Sequence, residues 1–179
     1  MLLADEPDLN APHASRCDMH VDRLNALWKL SVQRGLSDSE RIRAMLAMAA
    51  DVLDMDLVVL GEFGEHYTAR YVFDRLGIFP EGTALTIEAA WCHHVHRTRE
   101  ALHVSDLSRD PAYADHALVA QLGLRAYSGL PVIAGDDLRW VLKFMSRRTD
   151  VSPDAVDIAY MELIADWLGN ALYQSAQTD

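Results

Sequence analysis

The sequence predicts an α+β fold, in which an antiparallel central sheet is sandwiched between helices and the N- and C-terminal helices pack on one face. Three observations predict it. Two amphipathic helical stretches precede any strand, two pairs of strand-like stretches are joined by turn residues, and one long helical stretch closes the chain. The 179 residues are 50% hydrophobic and 24% charged, which is the composition of one globular domain with its own core.

The first helix is predicted from the helical spacing of apolar residues, which begins at Val21 and ends at Gly35. Residues 1–20 contain two prolines and show no periodicity, so we expect them to form a loose leader. The domain itself is then expected to span residues 21–175.

A second helix is predicted after Ser37, because Ser37 and Glu40 have the spacing of a capping box. Apolar residues with helical spacing follow, as far as Leu53. Two amphipathic helices therefore precede the first strand.

Two hairpins are predicted from strand-like patterns. Residues 57–63 form an apolar run and residues 66–74 alternate, with a turn between them. The alternation places four side chains of the second strand on one face, namely Tyr67, Ala69, Tyr71 and Phe73. The second hairpin joins residues 127–133 to residues 138–145 through a Gly-Asp-Asp turn.

Short elements are predicted between the hairpins: a strand at 84–87, a helix at 91–97, a strand at 101–104, and a loop or short helix at 110–121. The long last helix is expected to start with Ser152 as its N-cap and Pro153 at its first position, and to run to about Gln174.

The charge of the chain argues against two classes of partner. Sixteen Lys and Arg residues against 27 Asp and Glu residues leave a net charge of -11, which repels phosphate backbones and anionic lipid. We therefore expect no nucleic acid and no membrane as partners. The first residues are acidic and form no apolar signal segment, so a cytoplasmic location is expected.

Four short motifs resemble, in order and spacing, the GAF domain, a small-molecule sensory module of bacterial signal-transduction proteins. They are Trp91–Val95, Leu102–Asp106, Gly123–Pro131 and Ala165–Gly169. The resemblance implies that a small ligand binds between the sheet and the middle helices, and that the terminal helices transmit the signal. One departure is Trp140, which stands where the family commonly has glycine and is expected to fill space that is open elsewhere.

The resemblance also implies where the ligand-binding residues lie. Aromatic walls are expected from Tyr71, Phe73, Trp91, Tyr113 and Tyr127. Polar contacts are expected from Asp106, Arg125 and Lys143, with Cys92 beside them. Such a mixture of apolar walls and a few polar groups is typical of small-molecule sites. No cofactor is identified.

Cys92 carries a second hypothesis, a thiol or metal redox sensor. His93, His94 and His96 follow it closely, but a metal site needs further ligands from separate loops. The plain alternative is that Cys92 is a small buried hydrophobe. We predict no metal site.

Several activities known among GAF domains lack sequence support. The thiol relay of GAF-type methionine sulfoxide reductases would need Cys17, which lies in the predicted leader. Residues 110–121 contain no cysteine for covalent bilin attachment, and the signature of cyclic-nucleotide GAF domains is absent. We therefore expect no enzymatic activity and assign no catalytic residues.

The last helix has two apolar seams. One consists of Val156, Tyr160, Leu163, Trp167 and Ala171, and the other of Ile158, Met161, Ala165, Leu168 and Leu172. One seam should cover the sheet, and the other should pack on the first helix or on a second subunit. The resemblance to the GAF domain implies a homodimer that forms through the terminal helices. A third hypothesis follows, that the chain is a degenerate GAF dimerisation scaffold whose pocket Trp140 fills.

Overall fold

A six-stranded antiparallel sheet forms the centre of the molecule, in the order β3-β2-β1-β6-β5-β4. The computed structural model describes residues 11–90, 92–149 and 152–178. The strands are β1 (Leu57–Phe63), β2 (Tyr67–Asp74), β3 (Ala84–Leu85), β4 (Leu102–Val104), β5 (Ala126–Ala134) and β6 (Asp137–Ser146). The helices are α1 (Ala11–Ser31), α2 (Asp38–Leu53), α3 (His93–Thr98), α4 (Ala117–Leu122) and α5 (Ala155–Ala176). The predicted fold class and both hairpins are confirmed.

The sheet separates two hydrophobic cores. Helices α1, α2 and α5 cover one face, which we call the helical face. Helices α3 and α4, with their connecting loops, cover the other, which we call the lid face. Strand β6 supplies both cores, because Leu142 and Phe144 point to the helical face while Val141, Lys143 and Met145 point to the lid face. Alternation along one buried central strand thus produces both layers.

Helix α1 begins at Ala11, so residues 11–20 are helical and the expectation of a loose segment there is wrong. This stretch contains no glycine, and Pro12 is the second helical residue, where a missing N–H breaks no intrahelical bond. Residues 1–10 of the predicted leader lie outside the described residues. The predicted capping box at Ser37 and Glu40 is confirmed.

A β-bulge in β2 changes which side chains share a face. Leu60 pairs with Tyr71 while the next residue, Gly61, pairs with Ala69, so Arg70 is an extra residue. An extra residue shifts the alternation by one position. Tyr67 and Ala69 therefore lie on the lid face, whereas Tyr71 and Phe73 lie on the helical face, and the prediction that all four share one face is wrong.

Helix α5 starts two residues later than predicted. Its N-cap is Asp154, whose carboxylate accepts from the backbone N–H groups of Val156 and Asp157 at 2.8 and 2.9 Å. The start of a helix leaves N–H groups unpaired, and the Asp154 carboxylate satisfies two of them. The helix therefore begins after Asp154, and Ser152 and Pro153 lie before its cap. Among the described helices, none combines the length and apolar character needed to cross a membrane.

The two seams of α5 have different environments. Met161, Ala165 and Leu168 are buried against the sheet. Val156 and Leu163 of the other seam remain 41% and 44% exposed. The seam that covers the sheet is therefore the one that contains Met161.

Helix α5 lies close to the backbone of β5 at Gly169. A Cβ atom added there would collide with the backbone carbonyl of Ile133. Backbone cannot move aside as a flexible side chain can, so only glycine fits this position.

We therefore expect Gly169→Ala to lower the free energy of unfolding by about 1–3 kcal/mol through overpacking, although alanine is the better helix former. Urea denaturation followed by circular dichroism measures it. The matched control is Asn170→Ala, at an exposed position of the same helix, which should change stability by less than about 0.5 kcal/mol. Equal effects of the two substitutions would contradict the close contact.

Candidate functional site beneath the lid helices

A buried lysine occupies the centre of the lid face. Lys143 is 2% exposed. In the sheet it lies between Val59 of β1 and Gly129 of β5. Lysine is almost never fully buried unless its ammonium has a partner, so its surroundings indicate the chemistry of this site.

The amine of Lys143 lies over two aromatic rings, in the neighbourhood of a thiol. The Cys92 side chain, which is completely buried, acts on the pKa of Lys143. Its Nζ atom lies 4.2 Å from the ring centroid of Tyr67 and 5.5 Å from that of Phe79. Among the described residues, no carboxylate forms an ion pair with it. The site is therefore a lysine environment without an acidic counter-charge.

Two tyrosines lie flat over glycines beside the lysine. A Cβ atom at Gly61 would collide with the ring of Tyr67, and one at Gly129 would collide with the ring of Tyr127. Both tyrosines are buried, with exposures of 0% and 3%. The Tyr67 hydroxyl has no hydrogen-bond partner among the described residues. An unpaired buried hydroxyl is costly, and such groups call for a functional explanation.

Burial shifts the titration of all four polar groups toward their neutral forms. Desolvation lowers the pKa of Lys143, with Cys92 acting against the shift. Desolvation raises the pKa of Cys92, with the Lys143 charge acting against it. Desolvation also raises the pKa values of Tyr67 and Tyr127 well above their usual range. Removing a charge from water is costly, so the closed site favours a neutral amine beside a neutral thiol.

Asp106 and Arg125 form a separate ion pair. The two N–H···O contacts between them measure 3.0 and 2.9 Å. Hydrogen bonds from Arg125 and from Ser108 hold the pKa of Asp106 well below its usual range. The backbone N–H of Leu107 also donates to the carbonyl of Arg125 at 2.6 Å. These contacts fasten the loop after β4 to the segment that enters β5, so both residues orient a loop of the lid.

The structure brings together only part of the predicted site. Cys92, Tyr127 and Lys143 meet beneath α3, and Tyr113 packs against the same core. Trp91 lies outside the described residues.

Three aromatic predictions are wrong. Tyr71 and Phe73 lie on the helical face because of the bulge at Arg70. Tyr71 instead lies 5.3 Å beneath the Arg43 guanidinium. Trp140 also packs in the core of the helical face, so it does not fill the site on the lid face.

Sequence reasoning missed Tyr67 and Phe79. A signal for Tyr67 was present, because glycine within a strand marks a close approach of other groups, and both Gly61 and Gly129 lie within strands. No sequence pattern connects Phe79, which follows β2 in a loop, with a lysine more than sixty residues later.

The histidines near Cys92 have other contacts. His96 stacks on Phe63 with ring centroids 4.2 Å apart, and His103 hydrogen-bonds Ser128 at 2.9 Å. Within the described ranges, no three His, Cys, Asp or Glu side chains gather as metal ligands. The described geometry therefore adds no support to a metal-based sensor.

Comparison with known proteins gives a family-model match and similar structures. The model of the GAF domain matches residues 39–172. The phycocyanobilin-bound GAF domain of a cyanobacterial phytochrome has a TM-score of 0.72 at 15% identity, over 87% of this chain and 96% of that chain. The GAF domain of a phosphoenolpyruvate-protein phosphotransferase from Coxiella burnetii has a TM-score of 0.72 at 14% identity, over 89% and 97%.

An enzyme is also similar in fold. Free methionine-R-sulfoxide reductase from Neisseria meningitidis, in complex with its substrate, has a TM-score of 0.68 at 13% identity, over 99% of this chain and 100% of that chain. No curated protein matches the chain by sequence. At these identities the structural similarity establishes the fold alone.

The burial of Lys143 yields a prediction about stability. We expect Lys143→Met to raise the free energy of unfolding at pH 7 by about 1–3 kcal/mol, because it removes the desolvation of an amine.

The gain should shrink as the pH rises. The unfolded chain holds the lysine proton up to about its ordinary pKa of 10.5, whereas burial lowers the pKa in the folded chain. Between these two values the unfolded state binds more protons, so wild-type stability rises with pH. Urea titrations of both proteins at pH 7 and pH 10 measure the difference, and a gain that grows with pH would contradict the assignment.

Proposed function

The chain belongs to the GAF domain family, and on that premise we propose that it is a sensory domain that binds a small ligand on the lid face of the sheet. The ligand site lies beneath α3 and α4 and centres on Lys143. The carrying observation is the buried amine of Lys143 with no acidic partner among the described residues. Ligand sites combine apolar walls with a few oriented polar groups, and Tyr67, Tyr127 and Phe79 provide the walls.

The chemistry of this site favours an acidic ligand. A carboxylate or phosphate group placed at Nζ would supply the missing counter-charge, and charge-assisted hydrogen bonds are the strong ones. The unpaired Tyr67 hydroxyl would serve as a second donor. Burial lowers the pKa of Lys143 in the free protein, and an anion bound at Nζ would raise that pKa again because it favours the charged amine.

Binding requires the site to open. Lys143, Cys92 and Tyr67 are at most 2% exposed, so no open path leads from solvent to them. A ligand would displace α3 from β6 and turn the tyrosine rings away from Gly61 and Gly129. This opening is the conformational change that a sensor needs.

Strand β5 offers a route from the ligand to the last helix. Tyr127 and Gly129 face the site, while Leu130 and Val132 lie in the core of the helical face. Helix α5 contacts this strand at Gly169 without an intervening side chain. A shift of β5 would therefore move α5 directly, since packed cores respond by discrete rearrangement.

We assign a sensory rather than an enzymatic role. Disulfide exchange needs a second thiol within reach. Cys92 is buried beneath α3, whereas Cys17 belongs to α1, which packs on α2 of the helical face. This separation gives no basis for a thiol relay of the reductase kind.

The output surface that we propose is a homodimer through the terminal helices. Four apolar side chains of or next to α1 are exposed by half or more, namely Val21, Leu24, Trp28 and Val32. Leu24 also borders a groove of about 230 Å³ between α1 and α5, with Val156 and Leu163. Such a contiguous apolar surface is typical of an interface.

Charge favours an arrangement in which α1 of one copy meets α5 of the other. The described part of α5 carries acids and no base, so two α5 helices side by side would repel each other. Lys29 and Arg34, near the end of α1, are exposed. The twofold arrangement would place these cations near Glu162 and Asp166 of the second copy.

The ligand proposal predicts a difference between matched acidic and neutral probes. Benzoate should raise the Tm of the wild type in a concentration-dependent manner, because ligand at ten times its Kd stabilises the folded state by about 1.4 kcal/mol. Benzamide should leave the Tm unchanged. Differential scanning fluorimetry measures both probes, and native mass spectrometry of gently purified protein reveals any ligand that is already bound.

The response to benzoate should disappear in Lys143→Met and persist in Cys92→Ser. An equal response to benzamide, or a response that survives loss of the amine, would contradict the acidic class. No response to either probe together with no bound compound would contradict ligand sensing itself.

The dimer proposal predicts that the wild type sediments as a dimer at micromolar concentration and that Trp28→Glu sediments as a monomer, because a charge enters the apolar surface. Sedimentation velocity is the measurement. Gln121→Glu adds the same charge at an exposed position of α4, away from the terminal helices, and should leave the dimer intact. A wild-type monomer at these concentrations rules the interface out.

A further inference from the structure

The loop after β2 folds around a single carboxylate. The Oδ1 atom of Asp74 accepts from the backbone N–H groups of Leu76 and Gly77 at 2.8 and 2.9 Å. The Oδ2 atom accepts from those of Ile78 and Phe79, both at 2.6 Å. Hydrogen bonds to an ionised acceptor are shorter and stronger than neutral ones. One side chain therefore fixes the backbone of four consecutive residues.

This loop belongs to the lid face of the sheet. The side chains of Leu76 and Ile78 pack against the core of that face, and Phe79 is one of its buried members. Gly77 has a φ of 67°, a conformation that glycine adopts without steric cost. The chain can therefore turn around the carboxylate while three apolar side chains pack into the lid core.

The last of the four residues borders the candidate ligand site. The ring centroid of Phe79 lies 5.5 Å from Nζ of Lys143, and Phe79 is 6% exposed. Because Asp74 accepts directly from the N–H group of Phe79, it holds the backbone that carries this ring. Side chains of a binding site keep their geometry when a second layer of hydrogen bonds supports them.

We infer that Asp74 is a positioning residue of the ligand site and that Phe79, which it holds, determines which acids the site prefers. This role rests on the proposed function, because it takes Lys143 as the anchor of the acidic group. A ring fixed beside the amine favours an acid whose carboxylate is attached directly to a flat apolar body, since aromatic rings attract each other. The preferred class is therefore an aromatic carboxylic acid rather than a small aliphatic one.

The site then has one fixed wall and one moving wall. Helix α3 has six residues, and its N-cap residue, Cys92, makes no side-chain capping hydrogen bond. The loop of residues 76–79, in contrast, has four N–H groups paired with Asp74. Segments with fewer stabilising contacts open more easily. The lid therefore opens at α3 while Phe79 stays in place.

Hydrogen exchange of the full chain without ligand, followed by NMR, tests the fixed wall. We expect the amides of residues 76–79 to exchange more slowly than those of α3, and Asp74→Asn to lose this protection. The asparagine side chain would direct N–H donors at two of the backbone N–H groups. Fast exchange of these amides in the wild type overturns the proposal, and so does protection that survives in Asp74→Asn.

The matched control is Asp51→Asn. It removes the same charge from a nearby exposed side chain, which reaches this loop region only through the Arg75 side chain, at 2.7 Å. Exposed ion pairs contribute little to stability, so the amides of residues 76–79 should stay protected. An equal loss of protection in both variants would mean that charge, and not the hydrogen bonds to Asp74, holds the loop, and would overturn the proposal.

The ratio of the Kd values of acetate and benzoate at pH 7 tests the selectivity, by titration calorimetry of the full chain. Phe79→Leu keeps a large apolar side chain but removes the ring, and should lower the preference for benzoate by roughly 2–10-fold. Asp74→Asn should lower it similarly, and the double variant no further, because both changes act through one ring. Acetate presents no ring to Phe79, so its Kd should change less than that of benzoate.

The outcomes separate this role from the proposed function. A purely structural role of Asp74 would change the Kd of both acids alike and leave their ratio at the wild-type value, which overturns the proposal. Additive losses in the double variant overturn it as well. If the wild type binds neither acid, the proposed function fails and the selectivity fails with it. If the wild type binds both acids equally well, the ligand site stands and only the selectivity is wrong.

Discussion

The burial of one amine constrains everything that packs on the lid face of the sheet. Lys143 projects from the central strand and cannot reach water, so its surroundings have to stabilise it. The Tyr67 ring does so with its π-face, whose centroid lies 4.2 Å from Nζ, and Cys92 acts in the same direction because it opposes the fall in the pKa of Lys143. The ring reaches this position only because Gly61 leaves space beneath it. Glycine, tyrosine, cysteine and lysine are thus one interdependent unit.

The same sheet gives the other face a different character. The core of the helical face is apolar and includes Trp140 and Phe144 among its buried members, so it provides stability without an evident chemical function. The lid face combines shorter helices, loops and buried polar groups. Local opening is easiest where elements are short and contacts few. Under the proposed function, the lid face would respond to the ligand while the helical face maintains the fold.

How far the sequence predicts the structure depends on the range of the interaction involved. The capping box at Ser37 and both hairpins were predictable because their signals are local. The faces of Tyr71 and Phe73 were not, because the extra residue at Arg70 leaves no mark on an alternating pattern. Cys92 and Lys143 were each identified as candidates, yet their proximity depends on how α3 docks on β6. Residues so far apart in the sequence are brought together by tertiary packing, which no local sequence pattern records.

The proximity of Cys92 and Lys143 also changes what the two candidate functions mean for each other. As separate residues, Cys92 suggests a redox sensor and Lys143 suggests a ligand anchor. The charge of Lys143 acts against the rise in the pKa of Cys92, and Cys92 acts against the fall in the pKa of Lys143. A ligand acid that engaged Lys143 would therefore also change the surroundings of the thiol. The two candidate functions share one site, so any chemistry of Cys92 would affect the ligand site rather than act beside it.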